Sequence, residues 1–183
     1  MEQFIDFLDS IDKNFIDGIF ISVILILLVK RFLKIVDINI ALNIISYIIL
    51  FYSILTTLYL ILIIVFKVNS NLYFTFIKRA TGIYKFIYIL LLFLHSFLPF
   101  LLFFKKIRTK IYFVFFISVF MNLGWLFESF VIHVTSLHRD YADETNALLP
   151  FNRELIIIAK GFILGIFALI IGHIFEKYKL SKL

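Results

Sequence analysis

Residues 38–66 read INIALNIISYIILFYSILTTLYLILIIVF, twenty-nine positions without one charged side chain. At ~1.5 Å per helical residue the run is about 43 Å long, against about 30 Å of hydrocarbon in a bilayer. A buried strand or a soluble core helix ends well before that length. The stretch therefore predicts a membrane-spanning helix that tilts or projects beyond the bilayer.

The rest of the chain agrees. Of its 183 residues, 63% are hydrophobic, 19% aromatic and 16% charged, and the mean hydropathy is +1.07. Soluble domains carry about 25% charged residues, so this chain has too little polar surface to enclose a globule. Six Gly, two Pro and no Cys exclude collagen-like repeats and a disulfide-stapled scaffold. The fold class expected is all-α, a polytopic membrane helical bundle of about five transmembrane helices forming one domain over residues 1–183.

Four further spans are predicted around the first, at about 15–33, 83–104, 111–137 and 155–175. The 15–33 segment is the weakest, because its apolar core (Gly18 to Val29) is short and Lys30 and Arg31 close it. An interfacial helix is the alternative there. Acids precede this segment and cations follow it, the reverse of a signal peptide. Neither an internal repeat nor a Gly/Pro-broken span is evident.

Charge sets the sidedness. Lys30, Arg31, Lys34, Lys105, Lys106, Arg108, Lys110, Lys177, Lys179 and Lys182 fall on one side, against Asp37 and Glu176. By the positive-inside rule that side is cytoplasmic, which places residues 67–82 and 138–154 outside. The net charge of +6 is thus spent on topology, in short clusters between apolar runs. A nucleic-acid partner is not expected. Without Cys, no thiolate metal or iron–sulfur site is expected on this chain.

A charged side chain deep in a membrane helix costs roughly 2.5–3.5 kcal/mol, so each one asks for a reason. Glu128 is the acid deepest within a predicted span, which makes it a candidate proton-transfer group. His95 falls near the middle of the third span, where a histidine serves either as a ligand or as a hydrogen-bonded packing residue. In the fourth span Asn122, Ser129, His133 and Ser136 form one polar stripe. Trp125, Glu128, Thr135 and Arg139 form a second, so this helix belongs inside the bundle. His138, Arg139 and Asp140 end it as a cap or a docking point. The histidines (95, 133, 138 and 173) show no ligand pair within one helix, so no bis-histidine haem is expected.

Residues 122–140 read NLGWLFESFVIHVTSLHRD. This run resembles a signature of polysulfide-reductase-type (NrfD-like) quinone-interacting membrane subunits, in particular the large membrane subunit of alternative complex III. There it is similar to N-x-G-x-x-F-E-R-F-V-I-x-V-T-S-L-H-R-D. Upstream, Phe76, Arg79, Thr81, Gly82 and Tyr84 resemble an F-x-x-R-x-T-G-P-Y turn. Pro99 with Lys105, Lys106, Arg108 and Thr109 resembles a P-x-x-x-W-x-K-K-x-R-T helix end. The departures are Ser129 for the family Arg, Ile83 for a Pro, and His95 where Asn is expected. The likeness covers the C-terminal half of such subunits.

The resemblance implies an integral membrane subunit of a quinol:electron-acceptor oxidoreductase in a respiratory chain, not catalytic alone. It implies a bacterial or organellar inner membrane. Iron–sulfur and cytochrome subunits are the implied partners, carrying the iron–sulfur and haem groups. Glu128, Thr135 and Ser136 are the candidate proton path. His95, His138, Arg139 and Asp140 are candidates for contact with a quinol such as menaquinol or with a partner subunit. No metal ligands are assigned. The competing expectation is a non-enzymatic membrane scaffold or a small transporter.

Overall fold

A computed structural model describes residues 2–32, 38–67, 70–124, 126–127 and 148–180. Every regular element among them is helical: α1 (Glu2–Ile11), a π-helical turn (Asp12–Ile16), α2 (Ile19–Phe32), α3 (Ile38–Ile64), α4 (Ser70–Thr81) and α5 (Lys85–Ser96). A 3-10 segment (Leu98–Phe103), α6 (Lys105–Arg108), α7 (Ile111–Met121) and α8 (Leu148–Leu180) follow.

Three helical stretches are long and apolar enough to cross a membrane: Ile38–Ile64, Lys85–Phe103 and Glu154–Phe175. They match the expected spans at 38–66, 83–104 and 155–175. The outward surface is apolar, with Ile83 93% exposed, Phe86 77% and Tyr84 74%. Such a surface belongs in lipid rather than water. The expected span at 111–137 is described as helix α7 up to Met121, and its later part lies outside the described residues.

The 15–33 segment takes an unexpected form. Its helix is broken: α2 covers 14 residues, about 21 Å and too short to cross alone. The break lies at Asp17–Gly18, directly after the π-helical turn. Yet α1, the turn and α2 together run antiparallel to α3. Phe4 meets the ring of Tyr59 at 6.1 Å, near the far end of α3, while residue 32 lies six positions before α3 begins.

A helix broken among apolar side chains must find new partners for its carbonyls. Here two neighbouring helices supply them. Asn122 at the end of α7 donates from Nδ2 to the Ile16 carbonyl at 3.0 Å. Lys160 of α8 donates from Nζ to the Lys13 carbonyl at 3.2 Å and to Asn14 Oδ1 at 2.9 Å. The expectation of unbroken spans is therefore corrected at residues 12–18. Periodicity missed the break because Asp12, Lys13, Asn14 and Asp17 read as the polar lead-in to an apolar core that starts at Gly18.

Beyond the break α2 is central, packed among α3, α7 and α8, with Ile19, Ser22, Val23 and Ile26 fully buried. Its crossing with α8 is backbone against backbone. A Cβ added to Gly18 would lie 2.7 Å from the Ile157 carbonyl oxygen and 2.8 Å from the Gly161 nitrogen. One added to Gly161 would strike the Gly18 carbonyl oxygen. Ser22 Oγ then donates to the Gly161 carbonyl at 2.7 Å. Small residues four apart on both helices permit this approach, as is common between membrane helices.

Pro99 shapes the end of the third span. Proline has no N–H to continue the α-helical ladder, and the chain tightens to 3-10 geometry, with the Phe100 N–H turning to the Phe97 carbonyl. At the far end α6 makes a short cationic corner. Arg108 Nε donates to Asn43 Oδ1 at 2.9 Å, and its guanidinium stacks 4.4 Å over the Tyr47 ring. This contact ties the start of α3 to the end of the third span at one face of the bundle.

Candidate functional site

The tightening at Pro99 also leaves the Ser96 carbonyl without its usual helical donor, Phe100 N–H. Ser53 Oγ of α3 donates to it across a short hydrogen bond, and Thr57 Oγ1 approaches it at 3.4 Å. One turn of α3 is thereby held against the end of α5. Thr56 shares its hydroxyl between the Tyr52 and Ser53 carbonyls, 3.1 Å each. The serine and threonine hydroxyls of this turn all serve backbone oxygens, as small polar groups within membrane helices usually do.

This register brings Tyr52 against His95. The tyrosine hydroxyl lies 3.1 Å from His95 Nε2, the rings meeting edge to face at 5.5 Å and 86°. His95 Nδ1 lies 2.9 Å from the Met121 carbonyl oxygen at the end of α7. A carbonyl only accepts, so Nδ1 carries the proton. Nε2 of the neutral ring is then the acceptor, and the Tyr52 O–H donates to it. The tautomer follows from the Met121 contact.

Beside this pair lies a cavity of about 280 Å³. Tyr52, Thr56 and His95 form its polar wall. Leu60, Leu92 and, from α1, Ile5 and Leu8 form its apolar walls. Tyr52 and Ser96 are buried, at 4% and 1% exposed. None of the described residues lining the space is charged. A small apolar cleft with a few convergent polar groups is the usual form of a ligand site in a protein. Chemically it can receive a ring bearing a hydroxyl or carbonyl, and it holds a donor–acceptor pair able to move a proton from Tyr52 Oη to His95 Nε2.

Of the residues singled out in the sequence, His95 is placed here. Glu128, Ser129, His133, Thr135, Ser136, His138, Arg139 and Asp140 lie outside the described residues. Asn122 is 3% exposed and spends both amide protons on backbone, at the Ile16 and Ser118 carbonyls, 3.0 Å each. Asn122 and Met121, the acceptor for His95, are consecutive residues at the end of α7. His173 is exposed on α8. Among the described residues no three His, Cys, Asp or Glu gather as a ligand set for a metal.

Tyr52 was not legible as a site residue, nor Asp17 as a buried one. Tyr52 sits in an apolar run as one of nine tyrosines, and its only sequence cue is the Tyr-Ser-x-x-Thr-Thr cluster at 52–57. Asp17 reads as the last of the acids before the first span, yet it is 6% exposed, at the break of the helix. Its cue is the following Gly18, which lets α8 approach. The chain matches no protein-family model, no curated protein and no solved structure.

Proposed function

We propose that this chain is an integral membrane subunit of an alternative-complex-III-like quinol:electron-acceptor oxidoreductase, and that the cavity beside His95 receives a quinol head group. The observation that carries the reading is the Tyr52–His95–Met121 hydrogen-bonded chain on the wall of an apolar cavity among membrane helices. The ordered motifs at 76–84, 99–109 and 122–140 support it from the sequence side.

Oxidation of a quinol to a quinone releases two electrons and two protons. Iron–sulfur and haem groups on partner subunits would take up the electrons. A proton leaving the ring passes to Tyr52 as Tyr52 gives its own to His95 Nε2. The resulting imidazolium donates from both nitrogens, to the Met121 carbonyl and to the Tyr52 oxygen, so both of its protons are satisfied. Glu128, Thr135 and Ser136 continue the path in this proposal. His138, Arg139 and Asp140 provide the docking point for a soluble partner subunit.

One observation favours a second reading, a non-catalytic scaffold: both ring nitrogens of His95 are engaged within the chain, as in a packing histidine. The two readings separate by experiment. Isolation from the native membrane yields iron–sulfur and multihaem cytochrome subunits with this chain, and recovery of the chain alone overturns membership of such a complex. Within the complex, Tyr52→Phe keeps the packing but removes the proton donor to His95. It lowers quinol turnover roughly hundredfold if the pair relays a proton. Unchanged turnover leaves the scaffold.

A further inference from the structure

The fold contains a second, larger recess that the quinol reading does not use. It lies between α4 and the start of α5 and has a volume of about 680 Å³. Lys78 and Arg79 line it from α4. Tyr84, Ile87, Tyr88 and Leu91 line it from the α5 side. Those four positions fall at steps of three, one and three, one stripe of a helix. The stripe alternates two tyrosines, Tyr84 and Tyr88, with apolar Ile87 and Leu91.

We propose that this groove binds an anionic phospholipid, its phosphate at Lys78 and Arg79 and its acyl chains along Ile87 and Leu91. Charge complementarity carries the assignment. Residues 67–85, which carry the cationic wall of the groove, include Lys67, Lys78, Arg79 and Lys85 and no Asp or Glu. Among the described residues neither Lys78 nor Arg79 forms an ion pair, and both are exposed. Arg presents a fork of donors that matches a phosphate, and tyrosine hydroxyls at the membrane interface hydrogen-bond head groups.

The groove is also built. Phe76 of α4 packs against the Tyr88 ring at 6.0 Å, which holds the cationic turns beside the stripe. Lys67, in a left-handed conformation (φ 48°) just after α3, turns the chain into α4, with its ammonium 5.1 Å from the Tyr73 ring. A free phosphate would satisfy Lys78 and Arg79 alone. The apolar continuation along α5, where Ile87 is 56% exposed, selects a lipid.

The test uses the full chain in neutral detergent and native mass spectrometry, titrated with phosphatidylglycerol or with phosphatidylcholine of the same acyl chains. Each cation near an anionic surface contributes roughly a fivefold preference. Phosphatidylglycerol should therefore be retained at least fivefold more strongly. The double variant Lys78→Gln, Arg79→Gln should abolish that preference. Lys105→Gln with Lys106→Gln, at the opposite face, should leave it intact. Equal retention of the two lipids by the wild-type chain overturns the proposal and needs no variant. So does a preference that survives loss of Lys78 and Arg79, or one that falls equally with the Lys105 and Lys106 pair. Competition by inorganic phosphate as effective as by the lipid reduces the site to an anion site and overturns the lipid assignment.

Discussion

Two helix crossings in this bundle use the same device and reach opposite ends. Between α2 and α8, Ser22 donates to the Gly161 carbonyl. Between α3 and α5, Ser53 donates to the Ser96 carbonyl. Around the first hydroxyl the neighbours are glycines, and the backbones touch. Around the second they are Tyr52, Thr56 and His95, whose bulk stands between the helices, and a cavity of about 280 Å³ remains beside them. A serine-to-carbonyl bond fixes register. The size of the adjoining residues decides whether that register closes a seam or frames a site.

The largest effect on this contrast should come from filling the closed seam. Gly161→Ala drives a methyl into the Gly18 carbonyl and the Ile21 side chain, and backbones cannot yield as a side chain does. A loss of about 3 kcal/mol is expected. In Gly165→Ala the nearest obstacle is the Leu25 Cδ2 methyl at 2.9 Å, the far end of a flexible side chain. The cost there should be about 1 kcal/mol. Thermal unfolding in mild detergent, followed by circular dichroism, ranks the two. Equal losses would mean that the α2–α8 seam is looser than described.

Asn122→Ala comes next. It withdraws a donor from the Ile16 carbonyl at the break of the first helical path and from the Ser118 carbonyl. Leaving such buried groups unpaired costs about 1–3 kcal/mol. Because Met121 is adjacent and accepts from His95, the same variant should also disturb the cavity side. The unfolding midpoint checks the first effect. A wild-type midpoint would show that the break draws no stability from Asn122.

The smallest effects separate serines that look alike in the sequence. Ser22→Ala and Ser53→Ala each lose an interhelical hydrogen bond, worth about 0.6 kcal/mol on average in membrane bundles. Ser46 is also fully buried, but its hydroxyl has no partner among the described residues. Ser46→Ala should be neutral or slightly stabilising, since it removes an unpaired polar group. Midpoints for the three variants, measured side by side, test this order. A loss at Ser46 as large as at Ser22 would show that Ser46 is paired.

These contrasts also mark how far the sequence could be read. The helices at 38–64, 85–103 and 154–175 followed directly from long, predominantly apolar runs. His95 stood out because an ionisable residue in such a run is costly. Its partners did not stand out. Tyr52 lies 43 positions away and Met121 contributes a backbone carbonyl, which carries no residue-type signal. The break at Asp17–Gly18 was hidden for a related reason. Its compensating groups, Asn122 and Lys160, lie more than a hundred residues along the chain. In the sequence Asn122 reads as part of a polar stripe and Lys160 as a charge on the outer side.

By itself the sequence determined which helices are long and apolar enough to cross a membrane. Transfer into hydrocarbon sums residue by residue, so each apolar side chain contributes whatever its neighbours are. Only the tertiary structure decided which polar groups meet. A hydrogen bond between helices depends on their rotation, depth and separation together, and those are set by packing. Gly18 against Gly161 closes one seam, while Tyr52 against His95 holds another open.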